Sequence, residues 1–187
     1  MGKSSKIVSV PVTGNLHNFN VEEVAEFREK LLSWYDAHKR ELPWRTIAIK
    51  ETDTNKRAYA VWVSETMLQQ TQVATVINYF KKWMAKWPTV SDLANATSEE
   101  VHQMWAGLGY YSRAERLHKG AITVVHNLGG NIPGARDILI EKLPGVGKYS
   151  GSAIASIAFG KVVGVVDGNV NRVLARVRAV GADITKQ

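Results

Sequence analysis

The stretch Leu143-Pro-Gly-Val-Gly-Lys148 constrains this chain more than any other. A short helix-forming run from Asp137 feeds it, and a second run, Tyr149 to Phe159, starts directly after it. Two helices joined this closely make a hairpin, with Gly145 and Gly147 free to take positive φ or to pass close to a neighbour. The first N–H groups of the second helix lack intrahelical acceptors, and with the helix dipole they form an anion site. A plain Gly-rich corner between packed helices satisfies the same pattern. The formal net charge of +7 makes phosphate the natural anion, although a basic protein need not have an anionic partner.

The rest of the chain follows a helical period. Asn20 caps a helix with Glu22 and Glu23 in its first turn and with Val24, Phe27, Leu31, Trp34 and Tyr35 at helical spacing. Residues 46–57 read as a charged loop without periodicity, the best candidate for an insertion. Helices are expected over 58–70, 72–86, 112–127, 137–143 and 149–159, after the capping box Thr97-Ser-Glu-Glu100, and after Asp167. No stretch alternates as a strand does, so the fold class is all-α, with about eight short helices. Residues 1–19 read as a flexible arm.

A hydrophobic content of 45% is enough for a real core. The absence of cysteine excludes disulfides, thiol catalysis and Cys-ligated metals for these residues. No apolar run reaches the length of a membrane span. Lys6 stands where a myristoylation signal needs Ser or Thr, and no secretory signal is evident, so an intracellular setting is expected.

Two carboxylates carry chemical promise. On a helix, Glu65 has Val61, Trp62, Leu68 and Gln69 as neighbours. A carboxyl in that company is desolvated, its pKa rises, and it suits a general acid; the alternative is a Glu on a solvated helix face. Asp167 follows a valine-rich run and precedes Gly168-Asn169 and a helix, whose N-terminus favours its anion; the alternative is a simple N-cap. One neutral and one charged carboxyl is the arrangement that hydrolysis of an N-glycosidic bond needs.

A second Gly-rich turn, Gly107-Leu-Gly-Tyr-Tyr-Ser-Arg113, puts aromatics able to stack on bases before Arg113, Arg116 and Lys119, which read as phosphate-tracking residues. A C-cap glycine followed by two packed tyrosines is the plainer reading. Lys81, Lys82 and Lys86 interleave with Trp83 and Trp87 as a solvated face over a buried aromatic stripe, and Arg172 and Arg176 share one face of the last helix.

Together these pieces resemble the helix-hairpin-helix DNA glycosylases, and within them the MutY-type adenine DNA glycosylases, closest to the animal form. The resemblance spans about residues 27 to 183. It rests on Leu42-Pro-Trp-Arg45, Trp62-Val-Ser-Glu-Thr-Met-Leu-Gln-Gln-Thr-Gln-Val-Ala-Thr-Val-Ile77, Trp105-Ala-Gly-Leu-Gly-Tyr-Tyr-Ser-Arg113, Leu143-Pro-Gly-Val-Gly147 and Val166-Asp-Gly-Asn-Val170. Thr66 departs from the Val usual in the family.

The resemblance implies a helical barrel domain over 58–187 with its hairpin at 137–159, and a partial second helical domain over 20–57. It implies removal of adenine mispaired with 8-oxoguanine in duplex DNA, the first step of base-excision repair. Glu65 matches the acid that protonates adenine N7, Asp167 the carboxylate that stabilises the sugar cation, and Asn169 a supporting residue. Arg40, Leu42, Trp44 and Arg45 match the strip lining the adenine pocket. Gln70 and Tyr110 match residues that wedge into the duplex. Leu143, Gly145, Val146, Gly147 and Lys148 match the part that grips the DNA backbone.

The Schiff-base Lys of the bifunctional glycosylase-lyases falls at Tyr149, so a monofunctional hydrolase is expected, with Tyr149 close to the reacting sugar. An endonuclease III-like glycosylase/lyase and an inactive DNA-binding helical module are the alternatives. The family's [4Fe-4S] cluster is held by four cysteines beyond the helical barrel. None occurs here, so no metal or cofactor is expected, and the chain reads as truncated before that loop. The N-terminal helix is then expected to expose an apolar stripe between Val24 and Trp34. A monomer with no membrane association is expected, in the nucleus or alternatively the mitochondrion, with repair and replication proteins as further partners.

Overall fold

The computed structural model describes residues 17–181. Of the arm expected over 1–19, residues 1–16 lie outside the described residues. In chain order the helices are α1 (Val21–His38), α2 (Pro43–Lys50), α3 (Thr54–Leu68), α4 (Val73–Lys86), α5 (Val90–Ala94), α6 (Ser98–Trp105), α7 (Ser112–Asn127), α8 (Arg136–Lys142), α9 (Lys148–Phe159) and α10 (Gly168–Val177). No strand occurs among the described residues, as the all-α reading requires.

Residues 46–57 are not a loop. Pro43 opens α2 at N1, where its missing N–H costs nothing and its fixed φ suits a helix. Asp53 then caps α3, accepting from the N–H groups of Asn55 and Lys56. The Asn55 side chain donates to the Gly130 carbonyl and accepts from the Ile132 N–H, each at 2.8 Å. Arg57 donates through Nε to the Ala158 carbonyl at 2.8 Å. Polar residues that mimic a solvated insertion are caps and clamps. The other unexpected helix, α5, has five residues, too few to show a period, and is marked by a capping box between Thr89 and Asp92.

The chain forms two compact units. The larger runs from Arg40 to Val165; the smaller joins α1, up to Lys39, to the segment from Val166 that carries α10. In the larger unit, α2, α4, α7 and α9 pack around α3. Trp62, Trp83, Trp105, Tyr59 and Phe80 are essentially inaccessible. Trp83 packs edge-on to Trp87 and Trp105 and donates its indole N–H to the Tyr59 hydroxyl at 3.0 Å. Lys81, Lys82 and Lys86 remain exposed above this stripe.

In the smaller unit neither α1 nor α10 contains a buried residue. Asn20 and Glu23 form a capping box, and the Glu23 carboxylate pairs with Arg178. The Arg178 guanidinium lies 3.6 Å over the Phe19 ring, which packs on Phe27. Val24, Leu31, Leu32 and Trp34 are exposed, the apolar stripe expected of this helix.

Candidate catalytic and nucleic-acid site

From Ala58 to Met67 every residue is buried except Glu65, which is half-buried. Over these residues the helix has no fully solvated face, so Glu65 stands half-buried among buried neighbours rather than on a solvated helix face. The polar neighbours are satisfied locally: Ser64 Oγ donates to the Val61 carbonyl and Thr66 Oγ1 to that of Trp62, each at 2.8 Å. The wall is tight. A Cβ on Gly120 of α7 would lie 2.5 Å from the Trp62 ring.

A crevice of about 10 Å³, bordered by Trp62, Thr66, Gln69, Arg116, Pro144 and Gly145, joins α3 to the hairpin turn. It has room for about one water. A separate cavity of about 510 Å³ between α4 and α6, edged by Tyr79, Lys82, Lys86 and Glu100, contains none of the candidate residues.

The hairpin is built as its sequence suggests. Leu143 and Val146 are buried anchors, and the Val146 N–H closes the turn on the Leu143 carbonyl at 3.1 Å. Gly145 has φ +80°, and a Cβ there would meet the Arg116 side chain at 2.9 Å, so only glycine fits without a shift. Gly147 caps α9 with no side-chain hydrogen bond, and nothing lies within 4 Å of where its Cβ would be. The turn therefore presents an uncapped, open helix N-terminus. Lys148 and Tyr149 stand exposed on its first turn.

Gln70 and Tyr110 share an unusual backbone. Both are exposed, with φ of +53° and +48°. Left-handed conformations cost a non-glycine residue on the order of 1 kcal/mol or more, and they persist only where neighbours impose them. Arg113 is that neighbour. It is 7% exposed, not the phosphate-tracking residue expected from its position. One guanidinium nitrogen donates to the carbonyls of Thr66, Met67 and Gln69 at 3.1, 3.1 and 2.6 Å. The other donates to Thr71 Oγ1, Leu108 and Gly109 at 3.3, 3.1 and 3.1 Å. A sequence signal existed: Arg113 shares the i, i+4, i+8 face of Leu117 and Ala121, both buried. Arg116 and Lys119 are exposed, as expected.

The pocket strip divides. Leu42 and Trp44 are buried, with Trp44 edge-on to Phe80 at 5.5 Å. Arg40 is exposed, and the half-buried Arg45 donates to the Arg40 carbonyl at 3.2 Å.

In the smaller unit, Asp167 caps α10, accepting from the Val170 N–H at 2.8 Å and from Asn169 Nδ2 at 2.9 Å. Arg172 in turn donates to Asn169 Oδ1 at 2.8 Å. The Val170 N–H foremost, with Asn169 adding to it, holds the Asp167 carboxyl below the usual carboxylate range despite partial burial. The N-cap reading of Asp167 holds, and the cap is what keeps the group anionic.

The chain has no cysteine, and no three His, Asp or Glu side chains converge among the described residues. These residues do not fit a [4Fe-4S] cluster, and no step below runs through one.

The HhH-GPD superfamily base excision DNA repair protein model matches residues 63–187. Human adenine DNA glycosylase is 65% identical over 164 residues, covering 88% of this chain and 30% of that protein. The rat enzyme of the same name is 58% identical over 183 residues, covering 98% and 36%. The chain thus spans about a third of the length of these relatives. A thermostable thymine-DNA glycosylase superposes with TM-score 0.70 at 28% identity, covering 80% of this chain and 65% of that one. Endonuclease III in a non-covalent DNA complex gives TM-score 0.65 at 24% identity, covering 83% and 68%, a likeness of fold. With its hairpin, its enclosed α3 and its capped aspartate in place, the chain belongs to the HhH-GPD superfamily of base excision DNA repair proteins.

Proposed function

We propose that this chain is the catalytic part of a monofunctional adenine DNA glycosylase acting on adenine opposite 8-oxoguanine in duplex DNA. The observation that carries the reading is Glu65, the one incompletely buried residue between Ala58 and Met67. Similarity to enzymes named adenine DNA glycosylase supports the choice of base.

In this reading the open N-terminus of α9 takes a backbone phosphate without reading sequence. Gln70 and Tyr110 enter the stack, and the adenine swings out. Glu65 gives its proton to adenine N7, which lets the C1′–N9 electron pair leave with the base. The sugar gains oxocarbenium character, and the Asp167 anion, steadied by Asn169, offsets that charge until water adds at C1′ and loses a proton. Tyr149 lies near the sugar and offers no amine, so no Schiff base forms and the strand stays intact. The protein acts as a monomer in the nucleus or the mitochondrion.

A single-turnover assay of the full chain on an adenine:8-oxoguanine duplex tests this reading. Release of free adenine with an alkali-labile, uncut strand is expected. Borohydride trapping of a covalent adduct instead marks a lyase and overturns it.

A further inference from the structure

We infer that Arg113 is a positioning residue that presets Gln70 and Tyr110 as one rigid wedge, an inference that rests on the proposed role of those two side chains in opening the duplex. The geometry is specific. The carbonyls of Gln69 and Gly109, each belonging to the peptide just before a left-handed residue, accept from the same guanidinium at 2.6 and 3.1 Å. Three of its acceptors, Thr66, Met67 and Gln69, lie in or just after the last turn of α3, where carbonyls have no intrahelical donor and favour a cation.

The remaining acceptors are Thr71 Oγ1 and the Leu108 and Gly109 carbonyls. No carboxylate pairs with Arg113 among the described residues; five carbonyls and a hydroxyl take its hydrogen bonds. Its charge is spent on holding two backbone segments in register. Trp105 and Tyr110 flank the guanidinium with ring centroids at 5.3 and 5.5 Å, so the group also touches one of the side chains it presets. Ordering both loops before binding removes an entropy cost from the step in which the stack opens. Glu65 lies on the same helix as Thr66 and Met67, so the clasp also fixes the end of the helix that bears the proposed acid.

The test separates opening of the stack from gripping of the backbone. Full chains with Arg113 and with Arg113→Lys are compared on an adenine:8-oxoguanine duplex carrying 2-aminopurine next to the mispair. Duplex Kd and 2-aminopurine unstacking are both measured, and far-UV circular dichroism verifies the fold. Arg113→Lys is expected to keep Kd within about threefold while unstacking falls about tenfold, the scale of one lost charged hydrogen bond. Unchanged unstacking in the folded variant, or equal losses of Kd and unstacking, overturns the inference.

If Arg113→Lys does not fold, Thr71→Val removes a single acceptor and is expected to lower unstacking about two- to fivefold at unchanged Kd. No change there overturns the inference. If the parent chain binds the duplex and leaves 2-aminopurine stacked, the wedge role of Gln70 and Tyr110 fails first, and this inference fails with it.

Discussion

The two units are held by different physics, and the two candidate carboxylates fall one in each. The larger unit, which carries Glu65, buries Trp62, Trp83 and Trp105 and every residue of α3 from Ala58 to Met67 except Glu65. Around Asp167 nothing in α1 or α10 is buried, and order comes from a helix cap, a capping box and the Glu23–Arg178 pair. The contrast suits the chemistry assigned to each group. An anion that must stay charged gains from N–H donors, as Asp167 does from the Val170 N–H.

Four stability measurements sharpen this contrast. Trp83→Ala removes the centre of the larger unit and is expected to cost about 3–5 kcal/mol in denaturant unfolding. A far smaller value would mean that the aromatic stripe is not the core. Next in size, Asp167→Ala loses the cap of α10 and is expected to cost about 1 kcal/mol, whereas Asp167→Asn keeps a capping oxygen and costs only a few tenths. Val173→Ala, at an exposed position on α10, is expected within about 0.5 kcal/mol of the parent. The smallest effect is expected from Glu23→Gln, which removes the charge of the exposed member of the Glu23–Arg178 pair and keeps an acceptor oxygen; a lowered melting temperature in dilute buffer should shrink in high salt.

Acid should weaken the polar unit in the same sense. Asp167 and Glu23 titrate below their ordinary values of 3.8 and 4.5. A depressed carboxyl binds its proton more weakly when folded, so its contribution is complete above those values and is lost as pH falls through the lower, folded ones. Hydrogen-exchange protection in α10, measured against the intrinsic rate at each pH, should therefore fall below about pH 4, before protection in α3 does.

Much of this was legible in the residues. Leu143 to Lys148 announced a hairpin, and Thr97-Ser-Glu-Glu100 announced the start of α6, because turn and cap chemistry is local. What escaped was polar residues used internally. Asn55 and Arg57 look like a solvated insertion until the Gly130, Ile132 and Ala158 backbone groups they bind are known. Arg113 looks like a phosphate contact until the loops that converge on it are seen. Apart from Leu108 and Gly109, which lie close to Arg113 in sequence, those partners lie between about 40 and 100 residues away, beyond the reach of periodicity or capping rules.

The most direct test of the account is single-turnover adenine release by the full chain, comparing the parent with Glu65→Gln and Asp167→Asn. Each substitution keeps the size of the side chain and one acceptor oxygen while removing the acid or the charge. Losses of about 10²–10⁴-fold in release are expected from each, with melting curves nearly unchanged. Release at the parental rate by either folded variant would contradict the two-carboxylate mechanism.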